Sequence, residues 1–254
     1  MSYAHDGHRS KKNRNYNLQS EGEMTFANRK EAGRRLAFML TTYAGREDLI
    51  VLGIPRGGVP VAYEVAMELG ARLDIFVVRK LGVPWQPELA FGAIATGGVR
   101  FLDREIIESV GLSEAEIERV TAKEQQELER RERIYRGGLP ALALQGKTVI
   151  LVDDGIATGA STRAAIAALR QHGPAHIVLA APVAPASTCR RLRSEVERLV
   201  CLEAAESFYA IGQFYEDFSQ LSDEEVVALL HSAQTAWLHE PGRVYPRKGA
   251  EVNP

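Results

Sequence analysis

The sequence predicts an α/β fold, a doubly wound and mostly parallel sheet with a small hood and an inserted long helix. Two observations predict it. The chain contains short apolar runs, each the length of one buried strand, and segments of helical periodicity alternate with them. Strands separated by helices need crossover connections, which make neighbouring strands parallel. Because ligands bind at the carboxyl ends of such strands, functional residues are expected directly after the apolar runs.

Capping and apolar patterns predict the individual elements. Asn28 and Glu31 have the spacing of a helix N-cap and its partner, which predicts a first helix. The apolar runs that predict strands are residues 49–54, 73–78, 147–152, 176–183 and 198–202. The later helices are predicted over 61–69, 113–136 and 161–171, from after 183 to about 195, and from Ser222 to about His231. A hairpin is predicted at Gly97-Gly98.

The composition predicts one domain between two tails. The 254 residues carry a net charge of −2 and are 45% hydrophobic, values typical of a soluble globular chain. Residues 1–24 are polar and basic and predict a disordered tail, and residues 236–254 predict an irregular one. The domain then occupies residues 25–235, with a helical insertion at about 104–136 and a hood at about 203–218.

Several classes of protein are excluded by the same composition. No run of about 18 apolar residues predicts a membrane span, and the polar N-terminus is not a secretory signal. A near-neutral charge argues against binding nucleic acid by phosphate neutralisation. Cys189 and Cys201 are too few for a disulfide scaffold, which favours a reduced cytoplasmic location.

The most informative segment is VILVDDGIATGAST, residues 149–162. Asp153 and Asp154 directly follow a buried strand, where two carboxylates can accept hydrogen bonds from the adjacent hydroxyls of a ribose. A small-residue loop and a helix start come next, and unpaired amides at a helix N-terminus bind phosphate. The cradle consists of Ala157, Thr158, Gly159, Ala160, Ser161 and Thr162. A diol acceptor beside a monophosphate cradle predicts a ribose 5-phosphate site.

Residues 149–162 resemble the signature of the type I phosphoribosyltransferases, and the order of elements is similar over about residues 26–232. In that family a loop after the first core strand binds pyrophosphate and often contains a non-proline cis peptide. The matching stretch is Ile54–Val59, so the resemblance assigns pyrophosphate to Arg56, Gly57 and Gly58. The whole pattern is most similar to a bacterial group of predicted phosphoribosyltransferases with no established acceptor.

The resemblance also assigns a role to the basic pair Arg79-Lys80, which follows the second apolar run. In adenine and orotate phosphoribosyltransferases an Arg-Lys pair at this place contacts the pyrophosphate end of the donor. The alternative is a solvated basic pair at a strand end. One residue departs from the family pattern: 6-oxopurine enzymes have an acidic residue where this chain has Ala157. That departure disfavours a hypoxanthine–guanine enzyme.

Two segments are candidates for the acceptor side. The hood is rich in aromatic residues, and Phe208 or Tyr215 could stack on a base, although packing of a small core is the favoured explanation for these rings. The helix at 113–136 occupies the chain position of the family's mobile loop, and its arginines at 130, 131, 133 and 136 could reach pyrophosphate or form a solvated face.

The resemblance implies a phosphoribosyltransferase that uses 5-phosphoribosyl-1-pyrophosphate, a small acceptor and Mg²⁺ bound through the substrate near Asp153 and Asp154, with no direct protein metal site. A homodimer is expected by analogy with the family. A regulator that senses the donor or a nucleotide on the same fold is the alternative, and the basic tail favours it. A pyrophosphokinase would need a duplicated domain, which the sequence lacks.

Overall fold

The computed structural model describes residues 24–239. Residues 1–23 of the predicted basic tail and residues 240–254 of the predicted irregular segment lie outside the described residues. The strands are β1 (Leu49–Gly53), β2 (Arg72–Ile75), β3 (Val78–Val83), β4 (Gln86–Ala95), β5 (Val99–Leu102), β6 (Thr148–Val152), β7 (His176–Pro185) and β8 (Arg198–Ala205). The α-helices are α1 (Arg29–Met39), α2 (Gly58–Leu69), α3 (Arg104–Val110), α4 (Glu114–Arg136), α5 (Ala160–Gln171), α6 (Ala186–Leu192) and α7 (Asp223–Leu238).

Five parallel strands form the central sheet, as the alternating pattern predicts. Their order in the sheet is β2-β1-β6-β7-β8. The apolar residues of β1 and β6 are all buried, and they alternate between two cores. Ile50 and Leu52 pack in the core that contains α5, whereas Leu49 and Val51 pack in the core that contains α1 and α2. Helices therefore cover both faces of the sheet, which confirms the doubly wound fold.

The register of the central sheet fixes the place of the predicted site. Gly53 at the end of β1 pairs with Val152 at the end of β6 and with Ile75 at the end of β2. The loops that follow these three strands thus leave the sheet side by side. Ile54 continues the contact, because its amide donates to the carbonyl of Val152 over 2.9 Å.

The predicted strand 73–78 is wrong in its second half, because the parallel strand β2 ends at Ile75. Val78 already belongs to β3, which forms a separate antiparallel sheet with β4 and β5. Phe76 and Val77 are buried in two different cores, so the apolar pattern is unbroken across the change of sheet. Gly97 and Gly98 join β4 to β5 with φ of 81° and 76°, which confirms the predicted hairpin.

The helical insertion contains two helices, α3 and α4, separated by Gly111 at a φ of 68°. Ser113 and Glu116 form the predicted capping box at the start of α4.

The last helix, α7, starts at the predicted Ser222 cap but extends to Leu238, well beyond the predicted end near His231. It continues because its apolar face packs on α2 and α4, with Ala233 buried. The segment 236–238 is therefore helical and not irregular. Similarly, α2 begins at Gly58, earlier than predicted, and α6 ends at Leu192.

Between residues 24 and 239, no helix combines the length and the apolar character that crossing a membrane requires.

Candidate active site at the carboxyl edge of the parallel sheet

Two glycines bring the loop after β1 against the carboxylates that follow β6. A Cβ atom at Gly57 would collide with the carboxylate of Asp154, and one at Gly58 would lie 2.6 Å from the carbonyl oxygen of Val152. Only glycine permits this close approach of the backbone. The peptide bond between Pro55 and Arg56 in this loop is cis, as the family resemblance predicts.

Asp153 carries a carboxyl group whose pKa is raised well above its usual value. Burial is the larger cause, and the charge of the adjacent Asp154 is the second. The Oδ1 atom of Asp153 accepts a hydrogen bond from the amide of Asp154 over 2.9 Å. A cation or a set of hydroxyl donors beside Asp153 would favour its charged form and so lower this raised pKa.

Two residues hold Asp154. The sequence analysis does not identify the first, Arg29, and it assigns the second, Tyr215, to stacking on a base. The Nε atom of Arg29, in the first turn of α1, donates to Oδ2 of Asp154 over 2.8 Å. The hydroxyl of Tyr215 donates to the backbone carbonyl of Asp154 over 2.6 Å. Burial, and then the charge of Asp154, raises the pKa of Tyr215, which therefore stays a donor.

The predicted cradle 157–162 spans the end of a loop and the first turn of α5. Gly159 is the N-cap, with a φ of 78° that favours glycine, and the helix begins at Ala160. The first amides of α5 have no partner within the helix, which is the arrangement that binds phosphate. Thr158 and Ser161 expose their side chains, whereas Thr162 is buried, so its hydroxyl is the least accessible of the three.

Two residues of α6 hold residues 157 and 158 by hydrogen bonds. The hydroxyl of Thr188 donates to the carbonyl of Ala157 over 3.0 Å, and Nη2 of Arg191 donates to the carbonyl of Thr158 over 2.8 Å. These two bonds hold the carbonyls of Ala157 and Thr158, and within the loop the amide of Ala160 donates to Oγ1 of Thr158 over 3.4 Å. No pattern in the sequence identifies either residue, because both belong to a helix that starts 26 residues after Ala160.

Arg56 lies at the mouth of the first loop. It is exposed, and it is near enough to Tyr135 for its charge to lower the pKa of that phenol slightly. Burial and the hydrogen bond to Asp223 have the larger, opposite effect and raise the pKa of Tyr135 to about 12. The end of α4 and the start of α7 thus border the loop that contains the cis peptide.

The basic pair Arg79-Lys80 lies inside β3, not in a loop after a parallel strand. Arg79 forms an ion pair with Glu124 of α4 at 2.6 Å, and Lys80 lies 3.6 Å from Glu88. Both side chains line a cavity of about 450 Å³ between the β3–β4 hairpin and α4. Its other lining residues are Gly82, Val83, Pro84, Pro87, Glu88, Arg119, Val120, Lys123 and Glu124. None of them belongs to the two loops that hold the carboxylates and the phosphate cradle.

Three of the four arginines near the end of α4 have partners of their own. Arg130 and Arg131 both donate to Glu127, which lowers the pKa of Glu127 to about 2. Arg136 is buried and binds Asp74 at 3.1 Å and the carbonyl of Ile75. These contacts assign the three arginines to helix stability and to anchoring α4 on β2.

The hood aromatics form a small core. Phe208 packs on Phe214, and Tyr215 lies between Phe26 and Phe218 at centroid distances of 5.5 and 5.0 Å. Tyr215 is therefore buried and presents no free face to a base. Tyr209 differs, because 91% of its surface is exposed.

The geometry at the sheet edge agrees with a comparison of the whole chain with known families. A model described as the phosphoribosyl transferase domain matches residues 25–219. The chain belongs to the phosphoribosyl transferase family.

Known relatives of the chain agree with the family assignment. Two curated Mycobacterium tuberculosis proteins, from strains CDC 1551 and H37Rv and each named "Putative phosphoribosyl transferase", are 47% identical over 208 residues. That alignment covers 82% of this chain and 47% of each relative, so the chain spans about half their length. The crystal structure of TT1426 from Thermus thermophilus superposes with a TM-score of 0.75 at 41% identity. The superposition covers 82% of this chain and 99% of the T. thermophilus chain.

Proposed function

We propose that the protein transfers the phosphoribosyl group of 5-phosphoribosyl-1-pyrophosphate to a nitrogen acceptor, a nucleobase or an amine, and releases pyrophosphate. The observation that carries the proposal is the contact of Gly57 and Gly58 with the Asp153-Asp154 pair. This contact joins a pyrophosphate-type loop to the two carboxylates and to the phosphate cradle on one edge of the sheet. Family membership supports transfer from this donor in general.

Each part of the site receives one portion of the donor. The carboxylates of Asp153 and Asp154 accept hydrogen bonds from the ribose hydroxyls. Residues 157–162 bind the 5-phosphate through the amides at the start of α5. Arg56, Gly57 and Gly58 bind the pyrophosphate, whose charge also attracts Arg79 and Lys80 from the β3 side.

The transfer replaces one bond at C1 of the ribose with another. The acceptor nitrogen forms a bond to C1 while the bond from C1 to the pyrophosphate oxygen breaks, and the pyrophosphate leaves with the electron pair. The proton that the acceptor N–H loses passes to water. Positive charge grows on the ribose, where ionised carboxylates stabilise it. The loop glycines and Arg56 stabilise the negative charge of the leaving group.

Mg²⁺ fits the residues of this site. The ion prefers oxygen ligands and is usually held by one or two carboxylates together with substrate phosphates. Asp153 and Asp154 would place such oxygens near an ion that the substrate holds, and the raised pKa of Asp153 would fall next to that charge. When bound, the ion neutralises charge on the leaving pyrophosphate.

The acceptor is a nucleobase or amine other than a 6-oxopurine. Ala157 stands where an acid would serve N7 of such a base, and it has no group that exchanges a proton. Within the hood, the proposed contacts with the acceptor are Phe208, which is half-buried, and its neighbour Tyr209. Tyr215 serves instead by holding the backbone of Asp154. By analogy with the family, the active form is a homodimer.

The test is a calorimetric titration of the full chain with the donor and Mg²⁺. We expect binding to the wild type and none to an Asp153→Asn/Asp154→Asn double variant with an intact circular dichroism spectrum. A screen of bases and amines for pyrophosphate release follows. Donor affinity that is unchanged in the double variant would contradict the ribose assignment. Donor binding without turnover, together with salt-dependent nucleic-acid binding, would favour the regulator.

A further inference from the structure

The Arg29 side chain joins three parts of the molecule. Its Nε atom binds Oδ2 of Asp154, and its Nη1 atom donates to the carbonyl of Ser219 over 2.9 Å. Its guanidinium carbon lies 3.9 Å from the centroid of the Phe218 ring. Arg29 therefore connects the start of α1, the second carboxylate of the site and the end of the hood.

This connection is buried, which makes it energetically significant. Only 12% of the Arg29 side chain and 11% of the Asp154 side chain are exposed. A charge pair of this kind is screened weakly by solvent, and loss of one partner leaves the other uncompensated. The stacking on Phe218 adds a cation–π contact.

The aromatic residues of the hood close the same network. Phe218 stacks on Tyr215 with centroids 5.0 Å apart, and the hydroxyl of Tyr215 holds the carbonyl of Asp154. Asp154 is thus fixed through its side chain by Arg29 and through its backbone by Tyr215. A displacement of the hood would pull on both bonds.

We propose that Arg29 is a positioning residue that sets the geometry of Asp154 for the ribose and couples it to the hood. The inference rests on the proposed function, because it assigns the ribose hydroxyls to the carboxylate pair. Arg29 occupies Oδ2 of Asp154 and leaves Oδ1 for a ligand hydroxyl.

The test compares three ligands in one set of variants. The ligands are the donor with Mg²⁺, ribose 5-phosphate, and pyrophosphate with Mg²⁺. The variants of the full chain are Arg29→Gln, which removes the charge, and Arg29→Lys, which keeps it. Arg34→Gln is the matched control, because Arg34 lies on the same helix, pairs with Glu64 and has a side chain that is 65% exposed.

We expect Arg29→Gln to lower the affinities for the donor and for ribose 5-phosphate about 10-fold or more, since one charge-assisted contact to Asp154 is lost. The affinity for pyrophosphate should stay at the wild-type value. Arg29→Lys should recover part of the loss, and Arg34→Gln should bind like the wild type. A general loosening of the fold would instead weaken all three ligands together. Equal ribose 5-phosphate affinity in Arg29→Gln and the wild type would overturn the inference.

A second variant covers the case in which Arg29→Gln fails to fold. Phe218→Leu removes the ring beneath the guanidinium and keeps the charge, and we expect it to weaken ribose 5-phosphate about threefold. Unchanged affinity in that folded variant would also overturn the inference. A wild type that binds neither the donor nor ribose 5-phosphate would overturn the proposed function, and this inference with it.

Discussion

The two ends of the proposed donor site differ in how completely this structure assembles them. At the carboxylate end, Gly57, Asp154 and Arg29 are in direct contact, and the phosphate cradle has its supporting bonds in place. At the basic end, Arg79 and Lys80 bind Glu124 and Glu88 and line a separate cavity. On the proposed function, the ribose and 5-phosphate sites are formed in advance, whereas the basic pair would have to exchange its acidic partners for pyrophosphate.

Gly57→Ala gives the largest expected effect, because it breaks the assembled end directly. The added Cβ would displace the carboxylate of Asp154, and we expect donor affinity to fall by ~100-fold or more, about 3 kcal/mol. Gly111→Asn is the control, since no atom lies within 4 Å of its Cβ position and asparagine tolerates the φ of 68°. Calorimetric titration measures both, and a Gly57→Ala protein with wild-type affinity would remove the basis for a preformed carboxylate end.

The two adjacent carboxylates should respond to asparagine with opposite signs. Burial raises the pKa of Asp153 in the folded state above its ordinary value of 3.8, so the folded state binds the proton more tightly. The stability of the wild type therefore falls as the pH rises from about 4 through the raised pKa. Asp153→Asn removes this loss and should unfold at a higher temperature at pH 7, with the difference vanishing below pH 4.

Asp154→Asn is the partner variant. It leaves the buried guanidinium of Arg29 without its carboxylate, and we expect a loss of about 2–4 kcal/mol in the free energy of unfolding at pH 7. Thermal unfolding between pH 3 and 8 measures both variants. Two variants that shift stability in the same direction at pH 7 would contradict the division of roles between the carboxylates.

Arg79→Ala/Lys80→Ala tests the basic end of the proposed donor site. We expect the affinities for pyrophosphate and for the donor to fall ~10-fold and the affinity for ribose 5-phosphate to stay unchanged, because each lost cation weakens only the pyrophosphate contact. Arg100→Ala, which removes an exposed partner of Glu118, is the control. An equal loss for ribose 5-phosphate would show that the two ends are not independent.

Thr188→Val gives the smallest expected effect. It keeps the shape of the side chain and removes the hydrogen bond to the carbonyl of Ala157. We expect ribose 5-phosphate to bind about 5-fold more weakly, equivalent to one neutral hydrogen bond of about 1 kcal/mol. Pyrophosphate affinity, measured in the same titrations, should stay at the wild-type value, and a change there would indicate a broader distortion.

Much of the fold could be predicted from local pattern. The buried strands β1 and β6, the capping boxes at Ser113 and Ser222 and the hairpin at Gly97-Gly98 all depend on residues within a few positions of one another. The change of sheet between Ile75 and Val78 could not be predicted. Buried apolar residues look alike in a parallel and an antiparallel sheet, so composition does not distinguish them.

The candidate site divides in the same way. Asp153, Asp154 and the phosphate cradle lie in one continuous segment of 14 residues, and its resemblance to a known signature identifies them. Thr188 and Arg191 carry no such signal, because they act through backbone carbonyls of another loop. The predicted stacking face of Tyr215 could not be assessed without knowing which rings enclose it.

Spacing along the chain predicts the five strands of the parallel sheet, the glycines of the first loop and the paired carboxylates. Only the tertiary structure decided that Arg29 binds Asp154 across 125 positions, that Tyr215 holds the same residue across 61, and that Arg79 pairs with Glu124 across 45. Contacts at such separations depend on how helices and loops pack on the sheet. That packing is a sum of many weak interactions, and no local pattern of residues encodes it.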